Sequence, residues 1–431
     1  MSKTLEEKNT RITEEVAVKD QKKDGFFSLV KQLGPGMMVA GAFIGTGTIT
    51  TSIVAGTNNG YTLLWASVTL AIILTIVLQE MAARLALATG VPLATLIREK
   101  LGLWASLIAV VAIAGGNSIY SVGNLSGVGI AMGSLIEGFP IWGWMFIVTL
   151  FYWGLLMIGK YSVMEKAITI LVALMSLTFL LNMIIVQPDY SQVLTGLIIP
   201  KFEISDTMLI LGLIGTTVVP YNLYLHSSGV IERGWHKNPE KNMRLMRFDT
   251  LVPIFIGGIV TMAVGVVAAK VLNPLFISTG LEISGAQEMA LALEPLLGNA
   301  AFFLFCIGLF AAAVSSMPMA ALSAAYVVTQ SFRLSTDLKS TPFRIVFSLV
   351  AWIPFIFAVG VTNPIWTIIM AQSVNGMLLP ITAIFIFYLI NKKSIAGKFK
   401  NKPITNILGI LAVGFAVYLG VMNILRALGF A

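Results

Sequence analysis

The chain of 431 residues is 57% hydrophobic and only 11% charged, and its mean hydropathy is +0.88. Soluble globular proteins carry about 25% charged residues, so this composition excludes an ordinary soluble enzyme of two or three domains. A transmembrane helix needs about 20 apolar residues. The apolar runs are long and do not alternate as the strands of a β-barrel do. The sequence therefore predicts an all-α membrane protein with many spans.

Residues that could form a catalytic or metal centre are scarce. The one cysteine, Cys306, excludes an intramolecular disulfide and a Cys-rich metal site. The two histidines, His226 and His236, are too few for a multi-His site. Because no nucleophile or metal constellation can be assembled from the spans, we expect no enzymatic activity, no metal site and no cofactor.

Hydropathy predicts eleven spans in chain order. Residues 1–33 are polar and of mixed charge, and we interpret them as a cytoplasmic N-terminal tail. The predicted spans cover residues 34–57, 61–88, 103–132, 141–159, 162–186, 206–231, 250–272, 299–328, 344–361, 364–391 and 404–427. Residues 34–186 form a first repeat of five spans, residues 206–391 form a second, and the eleventh span follows. Residues 280–298 are predicted to form a short surface helix.

The distribution of basic residues predicts the orientation in the membrane. All but three of the 28 Lys and Arg residues lie on the N-terminal tail or on loops of the same membrane side; the exceptions are Lys201, Lys270 and Arg426. Cytoplasmic loops carry such an excess. We therefore predict a multi-pass protein of the plasma (inner) membrane with a cytoplasmic N-terminus. The net charge of +8 then needs no nucleic-acid partner to explain it.

Spans one and six contain residues that weaken a helix at mid-membrane depth. Span one includes Gly45-Thr46-Gly47-Thr48, and span six includes Gly215-Thr216-Thr217-Val218-Val219-Pro220-Tyr221. Glycine lowers helix stability, and proline removes a backbone donor. The two breaks open corresponding spans of two five-span halves, which run in opposite directions because each half has an odd number of spans. Such paired breaks in inverted repeats indicate a substrate site at the membrane midplane.

Each break also has a simpler interpretation. Gly and Pro are common in membrane helices, so either site alone could be a kink in a packed span. The same holds for Ser315-Ser316-Met317-Pro318 in span eight, where the neighbouring small residues favour close helix packing. The pairing of the first two breaks across the two halves is what favours a site there.

The residues around both breaks resemble the NRAMP family of transporters. The similarity covers the ten-span repeat region. It includes the run from Gly34-Pro35-Gly36 to Ala55-Gly56, then Gly60-Tyr61-Thr62-Leu63-Leu64-Trp65, Leu78-Gln79, Ala82-Ala83-Arg84-Leu85 and the run from Gly215 to Ser227. The resemblance implies a LeuT-like fold, with an inverted repeat of five plus five helices, an eleventh helix, and helices 1 and 6 broken at the midplane. It also implies secondary active transport by alternating access, usually proton-coupled uptake of divalent transition metals.

The sequence departs from the family at the metal-binding motifs. The family's Asp-Pro-Gly-Asn reads Gly45-Thr46-Gly47-Thr48 here, and its Met-Pro-His reads Val219-Pro220-Tyr221. The Asp and Glu that serve proton transfer in the family's third span are replaced by Asn117 and Tyr120. The carboxylate and thioether ligands that the resemblance leads one to expect are therefore missing.

The predicted substrate site is built of hydroxyl, amide and backbone groups. Its residues are Gly45, Thr46, Gly47, Thr48, Thr216, Thr217, Val219, Tyr221, Gln372 (which matches a family glutamine) and Asn375. Without carboxylate, thioether or imidazole ligands it is a poor site for a transition metal. Hydroxyls, amides and a helix N-terminus suit a small anion, and bicarbonate is our specific prediction. The alternative is a divalent cation, Mg²⁺ or Mn²⁺, carried as in the NRAMP family.

His226 lies beyond the break in span six, within the membrane. An intramembrane ionisable residue is a functional candidate by default, so we assign His226, with Asn117 and Tyr120, to a proton pathway. In the second interpretation His226 is a neutral residue bonded to a neighbouring helix, since the spans searched offer it no carboxylate partner. The expected partners are thus a small ion, the lipid bilayer and a coupling cation, H⁺ or Na⁺.

Overall fold

The computed structural model describes residues 44–158, 161–201 and 203–427. The predicted tail, residues 1–33, and the first part of span one lie outside the described residues. Within the described ranges the secondary structure consists of helices and turns, with no strand. The all-α prediction is therefore confirmed for this part of the chain.

The described helices follow the predicted spans closely. In chain order, as spans 1 to 11, they are Thr46–Asn59, Trp65–Thr89, Leu103–Leu135, Ile141–Ile158, Tyr161–Ile185, Thr207–Glu232, Pro239–Val271, Ala301–Ser331, Thr341–Ala358, Pro364–Asn391 and Pro403–Ala427. By length and composition, nine helical stretches of the described chain can cross a membrane. Spans 2 and 3 contain π-helical turns at Trp65–Leu70 and Val111–Gly115.

The spans pack in two groups, and each group contains spans from both halves of the chain. Span 1 packs against span 7, and the second half of span 6 packs against span 2, so spans 1, 2, 6 and 7 form one bundle. Span 3 packs against spans 8, 9 and 10, and span 10 also contacts the first half of span 6. Span 1 corresponds to span 6 in the other half, and span 2 corresponds to span 7. The contact between spans 1 and 7 therefore has its counterpart in the contact between spans 6 and 2, as an inverted repeat requires. The exact limits 34–186 and 206–391 of the repeats stay a prediction.

The break in span 6 is confirmed. An α-helix ends at Thr217, and Val218 (φ −95°, ψ 63°) and Val219 (φ −72°, ψ 119°) leave the helical conformation. A new helix begins at Pro220, where a proline costs no hydrogen bond because the first N–H groups of a helix have no partner within it. In span 1 the described helix begins at Thr46, and Gly45 before it is extended (φ −104°, ψ −174°).

Span 7 is longer than predicted, which matters for the site below. The sequence predicts its start at residue 250, whereas the helix begins at Pro239. Hydropathy misses the first turns because Lys241, Arg244 and Arg247 lower it. The helix nevertheless continues through these residues, since a proline at its first position and long charged side chains are both compatible with a helix.

The prediction of a surface helix over residues 280–298 is wrong. This segment forms short helical pieces, Ala286–Ala290, Leu291–Leu293 and Glu294–Leu297. Ala286, Met289 and Leu293 are buried, and the first piece packs on span 8. Apolar side chains on one face of these turns account for the packing.

Candidate functional site

The predicted site residues converge where the two broken helices meet. Span 1 contributes the start of its described helix, span 6 contributes its break, and spans 3, 8 and 10 surround them. All ten predicted residues are buried: Gly45, Thr46, Gly47, Thr48, Thr216, Thr217, Val219, Tyr221, Gln372 and Asn375. A polar site enclosed by protein at this depth is what two interrupted membrane helices can provide.

A hydrogen bond between hydroxyls joins the two broken helices. The Oγ1 atoms of Thr48 and Thr216 lie 2.9 Å apart, and both side chains are almost fully buried. Either hydroxyl can be the donor, so each can also turn toward a bound ion. This contact brings the first turn of the described part of span 1 against the last turn before the break in span 6.

The amide of Gln372 closes the site from span 10. A Cβ atom on Gly47 would lie 2.3 Å from Nε2 of Gln372, so the amide rests directly on the backbone of span 1. Neither Nε2 nor Oε1 of Gln372 has a hydrogen-bond partner among the described residues, and the same is true of Nδ2 of Asn375. Buried amide groups are normally paired, so these atoms keep unused hydrogen-bonding capacity at the site.

Two hydroxyl groups lie beside Gly45. A Cβ atom on Gly45 would lie 2.7 Å from Oγ of Ser316 and 3.1 Å from the hydroxyl of Tyr120. The Tyr120 side chain hydrogen-bonds to Ser316, Tyr221 and Asn124, and the rings of Tyr120 and Tyr221 meet edge to face with centroids 5.6 Å apart. Hydroxyl groups therefore fill the space in which a larger side chain at residue 45 would lie.

Ser316 is a site residue that the sequence analysis missed. It was assigned to helix packing because small residues flank it, and span 8 indeed runs without a break from Ala301 to Ser331. Nothing in the local sequence separates Ser316 from Ser315. The faces of span 8 and the position of span 3 decide which serine reaches Tyr120, and neither is given by hydropathy.

The polar groups of several predicted residues form hydrogen bonds within the protein. Thr46 donates to Asn124 at 2.7 Å, and Thr217 donates to a carbonyl of its own helix at 3.2 Å. Asn117, predicted for the proton pathway, donates to a carbonyl of span 8 at 2.7 Å. Val219 offers only its backbone to the site. In these contacts their polar groups bond to the protein itself.

His226 has a carboxylate partner, contrary to the sequence-based interpretation. Nε2 of His226 lies 3.7 Å from Oδ2 of Asp249, and both side chains are fully buried. The predicted span 7 begins one residue after Asp249 and so excludes it, whereas the helix starts at Pro239. Among the described residues, the one ion-pair contact with both side chains fully buried is thus between spans 6 and 7.

The His226–Asp249 pair lies behind an apolar cluster at one membrane face. The cluster consists of Ala83, Ala86, Leu87, Val230, Trp235 and Met246, from spans 2, 6 and 7 and the connecting segment. One helical turn deeper along these spans lie Gln79, His226 and Asp249. Gln79 also donates to the carbonyl of Asn222 at 3.5 Å. The pair is therefore shielded from solvent on that side.

The site itself carries no cluster of acidic, His or Cys ligands. Among residues 44–158, 161–201 and 203–427, no group of three or more His, Cys, Asp or Glu side chains is placed to hold a metal ion. The donor set is neutral, which agrees with the residues present at the two motifs. A divalent ion stripped of its water would find little compensating charge here.

The comparisons with known proteins identify the family. The family model described as "Natural resistance-associated macrophage protein-like" matches residues 36–426. The chain belongs to the NRAMP family. It is 27% identical over 428 residues to the divalent metal cation transporter MntH of Verminephrobacter eiseniae, covering 96% of this chain and 93% of that protein. It is 30% identical over 407 residues to MntH of Nostoc sp., covering 90% and 89%.

Solved structures of transporters share the fold. The manganese transporter of Eremococcus coleocola superposes with a TM-score of 0.76 at 22% identity, covering 93% of this chain and 87% of that one. MhsT in complex with L-phenylalanine gives a TM-score of 0.54 at 17% identity, covering 91% of this chain and 98% of that one. The predicted LeuT-like fold is confirmed. The protein is a multi-pass secondary transporter of the NRAMP type and not an enzyme.

Proposed function

We propose that this NRAMP protein carries a divalent cation across the membrane by alternating access. The observation that carries the proposal is a buried polar site where the break in span 6 meets the start of the described helix of span 1, in a chain similar along its length to transporters named for divalent metals. The relatives favour this substrate over the anion that the sequence predicts. Alternating access requires the bundle of spans 1, 2, 6 and 7 to move against the remaining spans.

Because the donor groups of the site are neutral, they favour a cation that keeps its shell of hydrating water. Mn²⁺ and Fe²⁺ are normally selected by direct carboxylate, imidazole or sulfur ligands, which this site does not offer. Mg²⁺ gives up its water reluctantly and keeps several waters when bound. The hydroxyls of Thr48 and Thr216 and the amide of Gln372 can accept hydrogen bonds from those waters. Hydrated Mg²⁺ is therefore the first substrate to test.

A small anion such as bicarbonate is the second candidate. The observation that favours it is the start of the described helix of span 1, where first-turn N–H groups follow Gly45 and no carboxylate lies beside them. Helix N-termini and amide N–H groups bind anions. The unpartnered Nε2 of Gln372 points to the same chemistry. The two candidate substrates carry opposite charges and would bind in the same pocket, so one transport assay distinguishes them.

We infer that a proton is the coupling cation and that His226 with Asp249 holds it. A buried histidine beside a buried carboxylate is a place where a proton can reside without an unpaired charge in the membrane. The pair lies between the site and the shielding cluster, on the side that the charge distribution predicts to be cytoplasmic. The bacterial inner (plasma) membrane, with a cytoplasmic N-terminus, is the proposed location.

The experiment uses the full chain reconstituted in liposomes. Entry of Mg²⁺ and Mn²⁺ is followed with trapped indicators, and bicarbonate transport is followed as a change of internal pH. Saturable metal entry supports the proposal. A saturable bicarbonate response without metal entry contradicts it and supports the second candidate.

Two buried glutamines provide a matched pair of variants for that assay. Gln372→Ala removes the amide that rests on span 1, and transport should fall at least about tenfold because a ligand contact is lost. Gln330→Ala alters a buried glutamine of span 8 that contacts Ser228 at 3.4 Å, away from the site, and should leave transport near the wild-type rate. Equal effects of the two substitutions would remove Gln372 from the site.

A further inference from the structure

A polar pocket opens beside the turn between spans 1 and 2, on the face that is outer in the predicted orientation. Its volume is about 360 Å³. It lies between this turn, the short helix Tyr190–Ile198 and the end of span 7. The side chains with polar groups that line it are Asn59, Tyr61, Thr62, Gln192, Thr195, Lys201 and Asn273. The transport site at the helix breaks uses none of them.

The amide nitrogens of three pocket residues each donate a hydrogen bond to another group of the protein. The amide nitrogens of Asn59, Gln192 and Asn273 donate to Asp206 Oδ1 at 3.0 Å, Asp189 Oδ2 at 2.9 Å and the Thr57 carbonyl at 2.8 Å. These bonds fix the orientation of each amide, which keeps its oxygen and a second N–H for other partners. Oδ1 of Asn59 is buried without a partner among the described residues. The amides therefore offer hydrogen-bond acceptors to a ligand.

The pocket also contains one unpaired positive charge. Lys201 is exposed, and no carboxylate of the described residues lies within ion-pair distance of its ammonium group. Its backbone is held in place because the carbonyl oxygen accepts a hydrogen bond from Nε1 of Trp65 at 3.2 Å. An anionic oxygen is the natural partner of this ammonium group.

These groups together exclude the simplest ligands. A small anion alone would leave the buried oxygen of Asn59 without a donor, and a metal cation alone would meet Lys201. A ligand satisfies both sets only if it carries an anionic oxygen and N–H or O–H donors a few ångströms apart. A phosphate diester that bears an ammonium or hydroxyl group has this chemistry.

The helix that borders the pocket places it at the membrane surface. In Tyr190–Ile198 the residues Val193 and Gly196 face the protein, while Leu194 is 58% and Ile198 is 73% exposed. A short helix with apolar side chains on its outward face lies in the interface, with that face in the acyl region. The pocket behind it is then at the depth of lipid headgroups, where Trp and Tyr residues such as Trp65 and Tyr190 are enriched.

We propose that this pocket binds the headgroup of a phospholipid that carries N–H or O–H donors. The phosphate lies against Nζ of Lys201, and the ammonium group of phosphatidylethanolamine or the hydroxyls of phosphatidylglycerol donate to the oxygens of Asn59, Gln192 and Asn273. The acyl chains follow the apolar face of Tyr190–Ile198. This lipid site is separate from the transport site and does not depend on which ion is carried.

Native mass spectrometry of the full chain tests the proposal. Delipidated protein in detergent is mixed with phosphatidylethanolamine, phosphatidylglycerol or phosphatidylcholine of identical acyl chains. Phosphatidylcholine is the matched lipid control, because it has the same phosphate but a quaternary ammonium without N–H groups. We expect one equivalent of either donor-bearing lipid to be retained about tenfold more strongly than phosphatidylcholine.

Two substitutions locate the retained lipid. Lys201→Ala and Gln192→Ala alter exposed side chains and should each reduce retention at least about threefold, since each removes one ligand contact. Lys270→Ala, at an exposed lysine of the same face that does not line the pocket, should leave it unchanged. Equal retention of phosphatidylcholine, or retention unaffected by Lys201→Ala, overturns the proposal. Displacement of the lipid by equimolar phosphoethanolamine overturns the assignment to a lipid in favour of a soluble phosphate.

Discussion

The protein has two buried polar regions of opposite character. The region at the helix breaks contains hydroxyls and amides, such as those of Thr48, Thr216 and Gln372, and no ionisable carboxylate or imidazole group. The second region contains the ionisable pair His226 and Asp249. They are near each other, because five residues of helix separate Tyr221 from His226, which is about 7.5 Å of rise.

This difference suggests how substrate binding and charge are separated in the protein. A neutral site binds an ion through dipoles and through the ion's own water, and it does not hold the ion with a fixed charge. The ionisable pair lies in another contact, between spans 6 and 7, apart from the proposed substrate ligands. Substitutions in one region should therefore leave the chemistry of the other intact.

The largest effect on stability is expected from breaking the ionisable pair. Asp249→Ala removes the buried carboxylate beside Nε2 of His226, and leaving a buried polar group without its neighbour costs up to about 3 kcal/mol. The measurement is the thermal denaturation of the detergent-solubilised protein. Asp337→Ala, in an exposed loop, is the matched control. If both variants melt at the same temperature, the pair does not stabilise the contact between spans 6 and 7.

The next largest effect is expected from adding a methyl group at the contact between spans 6 and 10. A Cβ on Gly215 would lie 2.0 Å from the carbonyl oxygen of Gln372, so Gly215→Ala must push span 6 away from span 10. Overpacking of this kind costs about 1–3 kcal/mol, and transport should fall with it because the site is distorted. Gly154→Ala has no atom within 4 Å of the new methyl and should be neutral or stabilising. Normal transport by Gly215→Ala contradicts the packing described for the break.

The hydrogen bond between the broken helices should have a smaller effect on stability. Thr48→Val removes one of the two hydroxyls that lie 2.9 Å apart, at a cost of about 1 kcal/mol, and should also slow transport. The double variant with Thr216→Val should lose little more than either single variant, because both remove the same bond. Thermal denaturation of all three proteins measures this coupling. Strictly additive losses would show that the two hydroxyls act independently.

The smallest effect is expected at the surface. Arg247 is half-exposed and donates to Glu80 at 3.0 Å, and such pairs contribute at most about 1 kcal/mol. Arg247→Ala should therefore shift the melting temperature far less than Asp249→Ala, although the two residues lie in the same turn of span 7. A shift of equal size would mean that burial does not govern the contribution of charge here.

Much of the fold could be predicted from the sequence because lipid imposes a strong constraint. Long apolar runs give the spans, and Pro220 marks the break in span 6 to within a residue or two. Hydropathy fails where a helix leaves the membrane, as at Pro239, since charged residues there remain helical. For this reason hydropathy places Asp249 outside span 7.

The site was predictable where its residues lie at the breaks, and less so where other spans meet them. Thr48 and Thr216 belong to the two interrupted motifs, and their contact follows from bringing the breaks together. Ser316 belongs to an unbroken helix and reaches Tyr120 only through the packing of spans 3 and 8. A periodic pattern identifies the faces of a helix but not which neighbour each face meets.

The most direct test of a neutral site that carries a hydrated divalent cation is the comparison of Mg²⁺ and Mn²⁺ entry into the same liposomes. We expect saturable entry of Mg²⁺ that exceeds entry of Mn²⁺ at equal concentration and is lost in Gln372→Ala but not in Gln330→Ala. Entry of Mn²⁺ alone would contradict the role given to the water shell. Absence of both, with saturable bicarbonate transport, would contradict the cation and leave the anion as the substrate.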